Sequence, residues 1–266
     1  MSWFDNLRSA VRRAAAPTFA SAGRMSGPPT SSNGASSMHL RWTFAAGARP
    51  RCREVSVVFR VVEPPTVPAL YFWALQASFG TGGRSVGAAH MGLQHHPRYP
   101  GAGAVNWGGY RHGGGELAGS TSALPSTLGN VNTRDYPWRA GVSYRYRIAP
   151  SPERGWRATI TDLERGDTTV IRDLWSPEAT DELTDIVVWS EVFADCDAPS
   201  VRVEWSQPEV VTIGGSTLTP VAMTTSFQRH EDGGCANTTA AVVAGGVAQI
   251  TNVERTVAAG VALPLG

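Results

Sequence analysis

Apolar residues recur at every second position, in one short segment after another from residue 38 onward, and that period constrains the fold more than any other feature. The segments are Met38–Phe44, Glu54–Val62, Tyr71–Phe79, Ala88–His96, Val142–Ile148, Trp156–Asp162, Asp185–Phe193, Ser200–Trp205, Val221–Gln228 and Gln249–Val257. Turn-forming residues part them: Pro64-Pro65, Gly80 to Gly83, Pro100-Gly101, Pro150 to Gly155, Asp197 to Pro199, Gly214-Gly215 and Gly233-Gly234. Only Ser176–Leu183 reads as a brief helix within this span. Short strands so spaced predict an all-β fold, an antiparallel two-sheet sandwich of jelly-roll or concanavalin-like type over residues 38–266. The missing βαβ alternation disfavours a doubly wound nucleotide fold. No repeat of 20–50 residues supports a propeller or a β-helix.

Ahead of the sandwich, residues 1–16 read as a short amphipathic helix. Ser2 caps it, Asp5 completes a capping box, and Trp3, Phe4, Leu7, Val11, Ala14 and Ala15 share one face. Pro17 ends the pattern. Residues 17–37 have the Pro/Gly/Ser/Ala composition of a disordered linker. A helix this short needs something to lie against, so residues 2–16 are a candidate docking element for a partner.

Composition narrows the function. The 23 basic residues are all Arg and face 22 acidic ones, for a net charge of +1. That balance argues against a nucleic-acid partner. The absence of Lys excludes Schiff-base chemistry and a P-loop lysine. No window approaches a transmembrane segment, and no secretory h-region is visible. No cofactor motif stands out. Of three cysteines, Cys196 and Cys235 lie in polar loop-like text and predict a disulfide, worth ~4 kcal/mol in the chain-entropy model. That pair points to an extracellular destination and the missing leader does not, so the compartment stays open. Cys52 reads as a reduced, half-buried thiol.

The stretch Tyr71 to Arg111 is the candidate functional region. Alternation points Tyr71, Trp73, Leu75 and Phe79 one way and Phe72, Ala74, Gln76 and Ser78 the other. Likewise Met91 and Leu93 oppose His90, Gly92, Gln94 and His96, and Val105 and Trp107 oppose Ala104, Asn106 and Gly108. If the three strands are neighbours, Gln76, His90, Gln94, His96 and Asn106 share a face. Tyr99, Tyr110, Arg111 and His112 join from loops, and Gly101 to Gly119 reads as a long, ligand-facing, glycine-rich loop. Amides and flat rings are what a sugar-binding surface uses. The ligand-binding candidates are Trp73, Gln76, Gln94, Asn106, Trp107, Tyr110 and Arg111, and the expected partner is a carbohydrate or cell-surface glycan.

The run Tyr71-Phe72-Trp73-Ala74-Leu75-Gln76, with Gly92-Leu93-Gln94 and Asn106-Trp107, resembles an uncharacterised bacterial domain family. That family carries a Tyr-Phe-Trp strand, a Gly-x-Gln strand and a Trp-containing strand. The resemblance spans roughly residues 40 to 205 and implies a lectin- or glucanase-like sandwich in proteins that handle polysaccharides. His90 departs from it, since an aromatic residue usually opens the Gly-x-Gln strand. It carries over no catalytic residue. The segments Gly234 to Thr238 and Gln249 to Asn252 resemble secreted actinobacterial proteins, and the all-Arg usage fits a high-GC genome.

Catalytic chemistry has fewer candidates. His90 and His96 lie about 20 Å apart on an extended strand, too far for one metal, so no metal site is expected. Glu191, between Trp189 and Phe193, is a candidate acid, with Asp195 or Glu116 as a second carboxylate. No Glu-x-Asp-x-x-Glu pattern occurs, however, and a salt bridge to an Arg of a neighbouring strand is the favoured reading of Glu191. No Gly-x-Ser-x-Gly elbow occurs. The expectation is therefore a non-catalytic glycan-binding or recognition module of lectin-like sandwich type, leaning away from an enzyme. The alternatives are a polysaccharide-active hydrolase using Glu191, or a structural or cargo protein docked through its N-terminal helix.

Overall fold

The structure, a computed structural model, describes residues 26–82, 84–176 and 180–266. In chain order the strands are β1 Ser36–Thr43, β2 Cys52–Glu63, β3 Tyr71–Thr81, β4 Arg84–His95, β5 Gly103–Arg111, β6 Thr133–Asp135, β7 Ser143–Pro150 and β8 Trp156–Asp162. There follow β9 Asp167–Leu174, β10 Glu182–Val192, β11 Val201–Thr212, β12 Thr217–Leu218, β13 Ala222–Phe227, β14 Thr238–Val243, β15 Gly246–Thr251 and β16 Ala262–Pro264. The chain is all-β, as the period of two predicts, and every named pairing is antiparallel.

The strands form two layers. One runs β16-β13-β1-β10-β3-β4-β5-β6 and the other β14-β15-β11-β2-β7-β8-β9, with β12 on β11. A single rung, Leu183 opposite Cys52, hydrogen-bonds one layer to the other. Beside that seam Arg51 is ion-paired with the fully buried Glu182. Between the layers lies one large core, which includes Trp73, Trp107, Trp156 and Trp205. Each of these four is at most 1% exposed, and truncating any of them to alanine would cost about 3–5 kcal/mol. A buried polar tie crosses the same space. Gln249 of β15 accepts at Oε1 from Ser190 Oγ (2.6 Å) and Trp205 Nε1 (2.8 Å) and donates from Nε2 to Met38 O (3.0 Å).

Several expectations change. The brief helix at Ser176–Leu183 does not form as read: residues 177–179 lie outside the described residues, and β10 already starts at Glu182. Within the Gly101–Gly119 stretch, Gly103–Arg111 is strand β5 rather than loop, and a turn and irregular backbone follow it. Its glycines serve close packing, because a Cβ at Gly109 would run into the Ala88 and Ala89 backbone of β4. The last alternating segment stops at Thr251. Strand β9 escaped notice because a bulge opposite Ala158 and Thr159 breaks its alternation.

The expected helix at 2–16 lies outside the described residues, as does the linker up to residue 25. The described part of residues 17–37 is bound to the body. Cys196 N donates to Gly27 O (2.8 Å), Gly27 N to Asp197 Oδ1 (3.0 Å) and Thr30 N to Gly233 O (3.0 Å), before β1 begins at Ser36. Cys196 and Cys235 form the expected disulfide, and Cys52 is a buried free thiol whose pKa burial pushes up to about 12. Among the described residues, no helix is long and apolar enough to cross a membrane.

Candidate functional site

Strands β5, β4, β3, β10 and β1 lie side by side, and register fixes what their non-core face carries. One row across them reads Ala104, Gln94, Phe72, Glu191 and Ser37. The next reads Asn106, Gly92, Ala74, Trp189 and His39. The third reads Gly108, His90, Gln76, Val187 and Arg41. The middle row has its smallest residues at the centre. A Cβ on Gly92 would collide with the carbonyl oxygen of Trp73, so only glycine lets β3 and β4 approach this closely.

Rings cluster around these small residues. The Phe72, His90 and Trp189 centroids lie 4.8–5.5 Å from one another, and His39 lies 6.4 Å from Trp189. Phe72, Ala74, Val187 and Trp189 form an apolar cluster separate from the main core. Trp189 Nε1 donates to Gln76 Oε1 at 3.1 Å, which turns the Gln76 amide so that its NH2 faces away from the indole. Glu191 is half-buried, and its Oε1 accepts from Asn33 Nδ2 (3.3 Å) and Ser37 Oγ (3.5 Å).

Electrostatics keep the neighbours neutral. Burial, with the Arg41 guanidinium adding to it, lowers the His39 pKa to about 4. Burial alone lowers His90 to about 4. Tyr110, whose ring lies 6.4 Å from His90, has its pKa raised by burial and then by the Glu116 and Glu191 carboxylates. Near pH 7 the face thus offers two neutral imidazoles and a protonated phenol beside the Gln76 amide and Glu191.

The shared face depends on β3, β4 and β5 being neighbours, and they are. Alternation then puts Gln76, Gln94 and Asn106 on one face, which they share. Their amides are engaged or buried: Gln94 accepts from Tyr99 Oη (3.0 Å), and Asn106 donates to Thr133 Oγ1 (2.9 Å). The exposures of Gln76, Gln94 and Asn106 are 4%, 6% and 7%. Trp73 and Trp107 are corrected outright, since both point into the core between the layers. Tyr110 and Arg111 are exposed at the end of β5 rather than in a loop. His95 ends β4 and His96 follows it, and among the described residues no three His, Cys, Asp or Glu side chains converge as for a metal. His39, Asn33 and Ser37 went unrecognised. Alternation in Met38–Phe44 could have found His39, whereas Asn33 and Ser37 sat in text read as linker.

No family model matches the chain, and no curated protein matches it. Among solved structures, one of scytalido-glutamic peptidase with a peptide-based transition-state analogue matches at 10% identity and a TM-score of 0.46, covering 80% of this chain and 97% of that one. Another scytalido-glutamic peptidase structure, with a transition-state analogue inhibitor, and one of SCP-B, an eqolisin-family peptidase with the tripeptide Ala-Ile-His, each match at 9% identity and a TM-score of 0.43, covering 84% of this chain and 98% of theirs. These proteins are peptidases, not lectins. The burial of Trp73 and Trp107 in the core corrects the expectation of a non-catalytic, lectin-like glycan-binding module, and the leaning away from an enzyme that rested on it goes with it. A likeness this loose does not transfer chemistry, which must come from the side chains themselves.

Proposed function

We propose that the protein is a hydrolase in which Glu191 is the reacting carboxylate and an extended polypeptide is the substrate. The observation that carries the reading is the Glu191 carboxylate itself. It is half-buried, held at one oxygen by Asn33 and Ser37, and set on the face that also bears Gln76, His39 and His90. Tyr110 feels its charge.

This set suits addition of water to a carbonyl. Glu191 takes a proton from a water molecule while the water oxygen bonds to the carbonyl carbon. The negative charge moves to the carbonyl oxygen, where the NH2 of Gln76 and the Tyr110 hydroxyl are donors of the kind that stabilise it. As the C–N bond breaks, the proton on Glu191 passes to the leaving nitrogen, so one peptide bond and one water give an acid and an amine. The Trp189–Gln76 hydrogen bond occupies the amide oxygen and leaves the NH2 of Gln76 as the donor. The Cys196–Cys235 disulfide supports an oxidising, extracellular place of action.

The test is incubation of the full chain with a denatured protein and with insoluble polysaccharides, followed by detection of new N-termini and new reducing ends. New N-termini that fall at least about a hundredfold in Glu191→Gln, with the fold unchanged, support the reading. Reducing ends without new N-termini would instead make Glu191 and Glu116 a glycosidase pair. Hydrolysis that survives Glu191→Gln, or no hydrolysis of either polymer, overturns it.

A further inference from the structure

Two arginine side chains enter the space between the layers at the edge bounded by β6 and β9. Arg172 of β9 pairs with Ala158, a core residue, so its side chain leaves the strand on the buried side. Arg134 of β6 pairs with Val105, also in the core. The segment between β5 and β6 straps this edge shut. Ser120 N donates to Asp173 O (2.9 Å) and Ser122 Oγ to Ile171 O (2.5 Å) on β9, while Asp135 N of β6 donates to Pro125 O (3.0 Å). Gly119 of the strap lies directly against the Arg172 guanidinium, with no space for a Cβ.

Arg172 is 4% exposed. One of its nitrogens donates to Val131 O (2.7 Å) and Asn132 Oδ1 (3.3 Å). Among the described residues, the Nε atoms of Arg172 and Arg134 are buried without an acceptor, and neither guanidinium has an ion pair. Burial, then Arg134, lowers the Arg172 pKa, and only the exposed Glu116 acts against this. A buried charge is normally paired, and two like charges sharing one buried edge are costlier still. A water molecule supplies an acceptor but no countercharge, whereas an oxyanion supplies both.

We propose that this edge binds a small oxyanion, a phosphate, sulfate or carboxylate group, between the guanidiniums of Arg172 and Arg134. The anion supplies the missing acceptors and neutralises the pair, with the strap closed over it. The site is distinct from the Glu191 face and does not depend on the hydrolase reading.

Thermal unfolding of the full chain in sodium chloride, and in inorganic phosphate at matched ionic strength, tests the proposal. A saturable rise in Tm of at least about 2 °C in phosphate is expected. The half-exposed Arg134 gives a variant that should still fold. Arg134→Met is expected to equal or exceed the parent Tm in chloride, because a like charge is gone, and to lose the phosphate-dependent rise. Acetate and sulfate in place of phosphate show whether a planar or a tetrahedral group is preferred, and a rise with either supports the site. No rise with any of the three anions, or a rise that Arg134→Met retains, overturns it.

Discussion

Trp205 donates its indole N–H to Oε1 of Gln249 at 2.8 Å, inside the core, with the Gln249 side chain 1% exposed. Trp205 belongs to the layer that holds β11 and β15. The other partners of Gln249, Ser190 and Met38, belong to the opposite layer. One amide therefore ties together two sheets whose named strands share a single ladder rung, Leu183 opposite Cys52. Gln249→Leu would keep the volume but strand two donors and a carbonyl away from water. The expected loss is about 3 kcal/mol of unfolding free energy, read as a lower urea midpoint at unchanged m.

His39 and His90 set an acid limit on stability. Their folded pKa values of about 4 lie below the unfolded value of 6.5. Between those pH values the unfolded chain binds protons that the folded chain does not. Stability therefore falls as pH drops from 6.5 to 4, by about 1.4 kcal/mol per pH unit for each histidine. Above pH 6.5 they contribute no slope. Denaturant titrations across this range should show that dependence, and His39→Asn or His90→Asn should each remove one proton's share of it. An unchanged slope in both variants would mean that other groups carry it.

Gly92 should be the least replaceable glycine of the candidate face. Gly92→Ala drives a methyl into the Trp73 carbonyl and the Ala74 backbone, forcing β3 and β4 apart beneath Trp189. The expected cost exceeds about 3 kcal/mol. Gly214→Ala is the control, because only Thr212 Oγ1 lies nearby, at 3.8 Å. Comparing the two melting temperatures checks the claim.

Much of this was legible in the residue order, and one error was avoidable from it. Alternation put Trp73 with Tyr71, Leu75 and Phe79, and Gln76 with Phe72 and Ala74, as the structure has them. Trp73 and Gln76 are three residues apart, and Asn106 and Trp107 are one apart. An odd separation on a strand means opposite faces, so these rings and amides could never form a single platform. What alternation cannot say is which face meets the other sheet, or which distant strand lies alongside. β10 flanks β3 and β1 flanks β10 through pairings more than a hundred residues apart, which is why His39 and Ser37 were not connected with Glu191. Strand β14, Thr-Thr-Ala-Ala-Val-Val, has side chains too small to print a strong alternation.

The position of the disulfide has a further consequence. Cys235 lies three residues before β14, which among the described residues has β15 as its one strand partner, ends the sheet and carries a half-exposed Val242. A border strand of this kind is the piece most apt to peel away and be exchanged with a neighbouring molecule. The sulfur link to Cys196 anchors its root, so the chain can fray at the tip without surrendering the strand, and reduction would turn a self-contained molecule into one prone to swapping.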